Sequence, residues 1–248
     1  FGELEAAIFS RLFKLLFLSV SVYPDENEQL LQPVVADLIV QCLKGRSTAL
    51  ADCNAPRHSI HFFYLLRSLF RSIGGGRFES LYKEVLPLLP VILEELNRLI
   101  FDESYGHDIL LGAPQARDVF VELCLTVPVR LSVLLPYLPL LMRPLVLALS
   151  STTMELVGQG LRTLELCVDN LTQDFLDPVI SPIADDLLQA LFGLLPSGSS
   201  AGNILGTSST NQQHAQVAMR ILGKLGGRSR KMTKGMALKN HENTSVSE

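Results

Sequence analysis

The chain has 248 residues, 48 of them leucine, with no tryptophan, 7% aromatics and a formal net charge of −4 at pH 7. Charged residues make up only 19%, against a usual share of about 25%, and the mean hydropathy is +0.29. These figures exclude an intrinsically disordered chain, a collagen-like chain and a disulfide-rich secreted module; a chain of this length can bury about 70–75% of its unfolded surface.

In chain order, residues 3–22 form the first predicted helix, apolar but carrying Arg11 and Lys14. The opening Phe1-Gly2-Glu3-Leu4-Glu5 has no Met and no basic stretch ahead of an apolar core, so it reads as a cut end and not a signal peptide. Leu30-Leu31-Gln32-Pro33 leads into a second helix reaching Leu43. Over residues 56–73, Phe62, Phe63, Leu66, Leu69, Phe70 and Ile73 recur at helical spacing, while Arg67, Ser68, Arg71 and Ser72 hold the other face. Gly74-Gly75-Gly76 ends that helix, since glycine tolerates the left-handed cap conformation. Pro87 leads to a helix reaching Leu96, residues 114–127 form the next, and Pro136 leads to another ending at Leu149. Between Met154 and Leu171, Val157, Leu161, Leu164, Val168 and Leu171 form one stripe, with Arg162, Glu165 and Asp169 beside it. Pro178 then leads to Leu191.

No stretch alternates with strand period, so the fold class is all-α. Each proline-led helix follows a proline-poor one, and a proline fits the first helical turn, where its missing N–H costs nothing. Pro33, Pro87, Pro136 and Pro178 lie 54, 49 and 42 residues apart. That period predicts a HEAT/armadillo-like α-solenoid of stacked helical hairpins; an irregular helical domain without true repeats is the alternative. The reading assigns 1–196 to about four hairpins and 197–213 to a flexible loop rich in Gly and Ser. It gives 214–227 to a further helix and 228–248 to a polar, basic, disordered tail.

The most apolar stretch, Leu131 to Leu149, is long enough to span a bilayer, but Pro136, Pro139, Arg143 and Pro144 break and charge it. A membrane span is not expected. Cys42, Cys124 and Cys167 sit in leucine-rich runs, Cys53 in a polar loop, and no pair has CxxC spacing. They read as free thiols of a reducing compartment.

No catalytic, cofactor-binding or metal site is expected. Gly74-Gly75-Gly76-Arg77 and Gly223-Lys224-Leu225-Gly226-Gly227 lack the spacing of a phosphate-cradling loop and follow no strand. His58 and His61 lie one turn apart but have no third ligand nearby. Glu94-Glu95 and Asp185-Asp186 are adjacent in sequence and so diverge on a helix surface. Arg67 and Arg71, one turn apart, invite either solvent or an acidic partner segment. Residues 223–248 carry Lys224, Arg228, Arg230, Lys231, Lys234 and Lys239 against Glu242 and Glu248. A solvated basic end is the simpler reading of that run, and a localisation signal or nucleic-acid contact the sharper one.

Longer runs carry more information. Tyr64-Leu65-Leu66-Arg67-Ser68-Leu69-Phe70-Arg71-Ser72-Ile73 precedes the glycines, and Leu81-Tyr82-Lys83-Glu84-Val85-Leu86-Pro87 follows them. Val121-Glu122-Leu123-Cys124-Leu125-Thr126-Val127-Pro128, Leu134-Leu135-Pro136-Tyr137-Leu138-Pro139, Gly158-Gln159-Gly160-Leu161-Arg162-Thr163-Leu164-Glu165-Leu166-Cys167 and Arg220-Ile221-Leu222-Gly223-Lys224-Leu225 complete the set. Together, over residues 1–232, these resemble the transformation/transcription domain-associated protein (TRRAP) family. The resemblance implies a segment of the HEAT-type solenoid ahead of a pseudokinase region, in a very large member of the phosphatidylinositol-kinase-related group. It implies a nuclear, non-enzymatic scaffold of SAGA-type and nucleosome histone acetyltransferase complexes, with complex subunits and transcription activators as partners. No cofactor, small-molecule substrate or direct nucleic-acid contact is implied, and no family site residue maps onto these positions. Two departures stand out: residues 197–213 look expanded, and the sequence leaves the pattern after Met232. Rival readings are a piece of an active kinase of the same group, or a different HEAT scaffold such as a transport receptor or phosphatase subunit.

Overall fold

The computed structural model describes residues 3–20, 22–49, 59–74, 78–102, 115–127, 130–196 and 209–227. Among them every regular element is helical. In chain order they are α1 (Glu3–Ser19), α2 (Pro24–Ala49), α3 (Ser59–Ile73), α4 (Glu79–Val85), α5 (Leu89–Phe101) and α6 (Ala116–Thr126). Then follow α7 (Leu131–Leu134), α8 (Leu138–Leu149), α9 (Met154–Asn170), α10 (Gln173–Ile180), α11 (Ala184–Gly193) and α12 (Ser209–Leu225).

The helices stack in two rows. One row is α1, α3, α6, α9 and α12, each packed on the next; the other is α2, α4–α5, α7–α8 and α10–α11. The rows are cross-linked because each second-row helix also packs on the following first-row helix: α2 on α3, α5 on α6, α8 on α9, α11 on α12. A single continuous core runs between them. The predicted stripes supply it: Phe63, Leu66, Leu69, Phe70 and Ile73 of α3 are buried, as are Val157, Leu161, Leu164 and Val168 of α9. Phe63 meets Phe120 of α6 edge-on, with ring centroids 4.8 Å apart, a favoured aromatic geometry. Phe62 falls off the stripe and is 39% exposed.

The prolines play a different part from the one predicted. Pro87 and Pro136 do not open helices; each sits in a 3-10 turn, Leu86–Leu88 or Leu135–Tyr137, that divides a second-row helix in two. The matching turn in the next pair is Ser181–Ile183, so the equivalent residue is Pro182, and Pro178 lies inside α10. Pro33 lies inside α2, which begins at Pro24 and runs through it unbroken. A proline within a helix removes one N–H and crowds the carbonyl four residues back; a tighter 3-10 turn absorbs that clash. The first-turn role belongs instead to Pro90 and Pro139, at the starts of α5 and α8.

Two other expectations are corrected. Helix α12 begins at Ser209 and so takes in residues 209–213, which were assigned to the loop; Ser, Thr and Asn suit a helix start as well as a loop. Gly74 and Gly226 end helices without a left-handed backbone. At Gly74 the requirement is space, since a Cβ would sit 3.1 Å from the Phe70 carbonyl oxygen. By length and composition Leu131–Leu149 is the one described stretch able to cross a bilayer. It is α7, a 3-10 turn and α8, with Leu138, Leu141, Met142, Leu145, Ala148 and Leu149 buried against their neighbours. Gly75, Gly76, Cys53, residues 197–208 and the tail from 228 lie outside the described residues.

Candidate interaction surface

Along the first row, polar side chains join successive helices. Arg67 and Arg71 stand one turn apart on α3 and so point the same way, toward α6. There Glu122 is only 8% exposed. Arg71 Nε donates to its Oε1 at 2.6 Å and Arg67 Nη1 to its Oε2 at 3.4 Å. Arg67 also lies over the Tyr64 ring, 5.3 Å from its centroid. A carboxylate this buried is tolerated because two guanidinium groups replace its water. Arg71 reaches further still, donating through Nη2 to Glu155 of α9 at 3.0 Å, so one side chain ties three helices together.

The ladder continues toward α12. Asp118 of α6 accepts from the hydroxyls of Ser151 (3.2 Å) and Thr153 (2.9 Å) at the start of α9. Glu165 of α9 meets Arg220 Nε of α12 at 2.6 Å, and Lys224 bridges Glu165 and Asp169. Beside them Gly158 and Gly160 let α9 approach two neighbours at once. A Cβ on Gly158 would come within 2.9 Å of His214 Nε2 in α12, and one on Gly160 within 3.1 Å of the Ala148 Cβ in α8. The His214 Nδ1 is buried without a hydrogen-bond partner. Burial, with Arg162 adding to it, lowers the pKa of that imidazole and keeps it neutral.

The second row is joined by other means. Glu28 of α2 accepts from the Ser80 hydroxyl and, at 2.8 Å, from the Ser80 N–H in the first turn of α4. The Ser80 hydroxyl foremost holds its carboxyl below the usual range, with the Ser80 and Leu81 N–H groups assisting against burial. Arg130 lies 5.4 Å from the Tyr82 ring centroid and Arg143 4.1 Å from that of Phe101, both within cation–π range. The Asn97 amide of α5 donates to the Leu140 carbonyl of α8 at 2.9 Å.

Between α3, α6 and the start of α9 lies a groove of about 710 Å³, lined by Tyr64, Arg67, Arg71, Asp118, Glu122 and Glu155 among others. The two arginines, candidates for an acidic partner segment on sequence grounds, are here engaged by Glu122 and Glu155. Among the described residues no three His, Cys, Asp or Glu side chains could share a metal. His58 lies outside them, and His61 faces the Tyr64 ring with centroids 6.3 Å apart. Cys42, Cys124 and Cys167 are buried and unbridged. Burial pushes the thiol of Cys42 up to about 12 and that of Cys167 up to about 11, and raises Cys124 as well. None is poised as a thiolate nucleophile at neutral pH. Glu94 and Glu95 diverge as expected, Glu95 turning to Arg98 at 3.5 Å. Asp185 and Asp186 occupy the first turn of α11, where acidic groups suit the helix dipole.

Sequence reasoning missed Glu122, Asp118 and Asn97. One signal was present: Glu122 interrupts the apolar run Val119-Phe120-Val121 before Leu123-Cys124, and a carboxylate in such a run requires a paired charge.

Comparison with known proteins places these contacts in a family. Residues 2–197 match the family model described as the Tra1 HEAT repeat central region. Among similar curated proteins is the SAGA complex/NuA4 acetyltransferase complex subunit TRA1 of Saccharomyces cerevisiae. It is 48% identical over 227 residues, covering 92% of this chain and 5% of that protein. Transcription-associated protein 1 of Drosophila melanogaster is 50% identical over 225 residues, 91% of this chain and 5% of its own. The human transformation/transcription domain-associated protein is 46% identical over 227 residues, again 92% and 5%. The chain thus spans about a twentieth of the length of these relatives. The stacked, cross-bonded helical pairs and the match over most of the chain lead to one conclusion: the chain belongs to the Tra1 HEAT repeat central region family.

Proposed function

We propose that this chain is a non-catalytic scaffold segment of a nuclear transcription-coactivator subunit, working in SAGA-type and nucleosome acetyltransferase complexes. It supports complex assembly and recruitment by activators, and its partners are complex subunits and activator segments. In this reading α1 to α11 form four hairpin repeats, and α12 is the first helix of a fifth. One observation carries it: several charged side chains of the first row engage neighbouring repeats, Arg71 with Glu122 and Glu155, Glu165 with Arg220 and Lys224. They serve as joints between repeats; they do not converge on a reacting group. Relatives whose names place them in SAGA and NuA4 complexes supply the assembly. Nuclear localisation and the absence of direct nucleic-acid contact belong to the same proposal.

The test is a replacement. The corresponding segment of the yeast relative is exchanged for this chain, and the tagged protein is purified from nuclear extract. Co-purification of acetyltransferase-complex subunits at the level of the unaltered protein is expected. Loss of those subunits while the chimera is present at normal abundance would count against the reading, and so would recovery of transport or phosphatase partners.

A further inference from the structure

Towards the end of the sequence, charge is sorted into two blocks. Residues 163–219 contain no lysine or arginine and carry six carboxylates: Glu165, Asp169, Asp174, Asp177, Asp185 and Asp186. Residues 220–239 contain no carboxylate and carry seven cations. In the fold the first two cations rest on the first two carboxylates: Arg220 meets Glu165, and Lys224 reaches both Glu165 and Asp169. Beyond Lys224 five cations remain, Arg228, Arg230, Lys231, Lys234 and Lys239. We propose that residues 228–239 continue this pairing by docking along the exposed face of α10 and α11.

The face lies next to where the chain leaves α12. Lys224 is in the last turn of α12 and its partner Asp169 in the last turn of α9; α10 opens only a few residues later, at Gln173. Asp174, Phe175, Pro178, Asp185, Asp186 and Phe192 are all exposed and recur at helical spacing, while Leu176, Ile180, Leu187 and Leu191 are buried on the opposite side. Phe175 is 58% and Phe192 60% exposed, so the face is apolar as well as acidic. Asp174, Asp185 and Asp186 meet no cation among the described residues. The segment 228–239 matches it in both respects, with Met232, Met236 and Leu238 beside its five cations.

Length agrees with charge. From Asp174 to Phe192 the face runs about 27 Å at about 1.5 Å per residue, and twelve residues of extended chain reach about 40 Å. An exposed ion pair is weak by itself, but attachment to α12 holds the cations at an effective concentration in the millimolar range, where weak pairs add up. The docked segment covers Phe175 and Phe192 and carries the α9–α12 joint over to the second row. The proposal goes beyond the scaffold reading and stands on charge order and helix face, independently of the complex in which the chain works.

The test couples lysine amines to neighbouring carboxylates with a zero-length carbodiimide, in a dilute mixture of isotope-labelled and unlabelled full chain. Mass spectrometry is expected to find Lys231, Lys234 or Lys239 joined to Asp174, Asp185 or Asp186 within a single isotope form. Tryptic cleavage after Arg228 and Arg230 is expected to be several-fold slower than in a synthetic peptide of residues 224–239 in dilute buffer. It should reach the peptide's rate at about 0.5 M NaCl, where screening shortens the range of the pairs. An Asp174→Asn, Asp185→Asn, Asp186→Asn chain should lose the protection at low salt while keeping its helical circular dichroism; if that chain does not fold, the salt series on the unaltered chain decides. Couplings that join only different isotope forms would place the segment on a second copy and overturn the proposal. So would couplings to carboxylates outside α10 and α11 alone, cleavage as fast as in the free peptide at low salt, or protection that ignores salt.

Discussion

The side-chain amide of Asn97 in α5 donates at 2.9 Å to the backbone carbonyl of Leu140 in α8. That carbonyl lies four residues before Pro144, which sits inside α8 and has no N–H to offer it. A neighbouring repeat thus completes the hydrogen bonding of a proline-bearing helix, while Asn97 also bonds its own Leu93 carbonyl at 2.8 Å. Asn97→Ala should destabilise the chain by about 0.5–2 kcal/mol, the cost of a part-buried acceptor losing its partner. Adding Pro144→Ala, which restores an N–H within α8, should recover part of that loss. Urea denaturation of the single and double variants checks both.

Glu122 presents a second joint. Removing both partners with Arg67→Ala and Arg71→Ala leaves a carboxylate that is 8% exposed without a cation, at a cost of about 3–5 kcal/mol. Either single variant leaves one arginine in place and should cost much less. Additive losses measured in a double-mutant cycle would contradict the shared-carboxylate geometry.

Gly160 is a packing requirement. A Cβ there would lie 3.1 Å from the Ala148 Cβ and 3.3 Å from Leu149 Cδ2, so α8 and α9 must part. Gly160→Ala should destabilise by about 1–3 kcal/mol through overpacking, despite the roughly 1 kcal/mol that alanine ordinarily contributes in a helix. Gly223, with open space above it, is the control: Gly223→Ala should be neutral or stabilising in thermal melts.

His214 gives a pH signature. Its pKa is lowered in the folded chain, first by burial and then by Arg162. The unfolded chain therefore binds more protons in the window below the ordinary histidine value of about 6.5, and stability falls as pH drops through that window. His214→Gln should flatten the slope of unfolding free energy between about pH 7 and pH 5. A depressed carboxyl acts lower: the stability from Glu28 is present above its ordinary value of 4.5 and is lost as pH falls through the lowered folded value. Glu28→Gln should remove that acid limb and leave the histidine slope intact.

Self-association follows from α1. Ile8, Phe9, Leu12, Phe13, Leu15 and Leu16 are all 40–66% exposed, on a helix whose main packing partner among the described residues is α3. Exposed apolar area of this kind promotes association. Light scattering of the isolated chain should show a mass that rises with concentration, and Leu12→Glu with Leu15→Glu should reduce it. A monomer at high concentration would contradict this.

Helices with a complete apolar stripe were legible in the sequence: α9 matches its predicted span to one residue at its C-terminal end, and α3 ends at Ile73 as read. Proline was legible as punctuation but not as geometry, because Leu86-Pro87 and Leu135-Pro136 read equally well as a helix start and as a 3-10 interruption. The joints were least legible. Arg71 and Glu122 are 51 positions apart, Lys224 and Asp169 55, Asn97 and Leu140 43. Local periodicity says nothing about which turn of one helix meets which turn of the next. Glu122, stranded among apolar neighbours, and the Arg67/Arg71 pair, one turn apart, hinted that partners existed, but not which ones.

The reach of Arg71 across α6 to α9 bears on transplantation. A protein engineer who cuts one hairpin from this stack severs bonds at both borders, and a cut on either side of α6 separates Arg71 from at least one carboxylate. The smallest graft that carries this joint intact contains α3, α6 and α9 with their second-row companions. Portability here is a property of triplets, and a library that shuffled single hairpins would discard the joints that hold them in line.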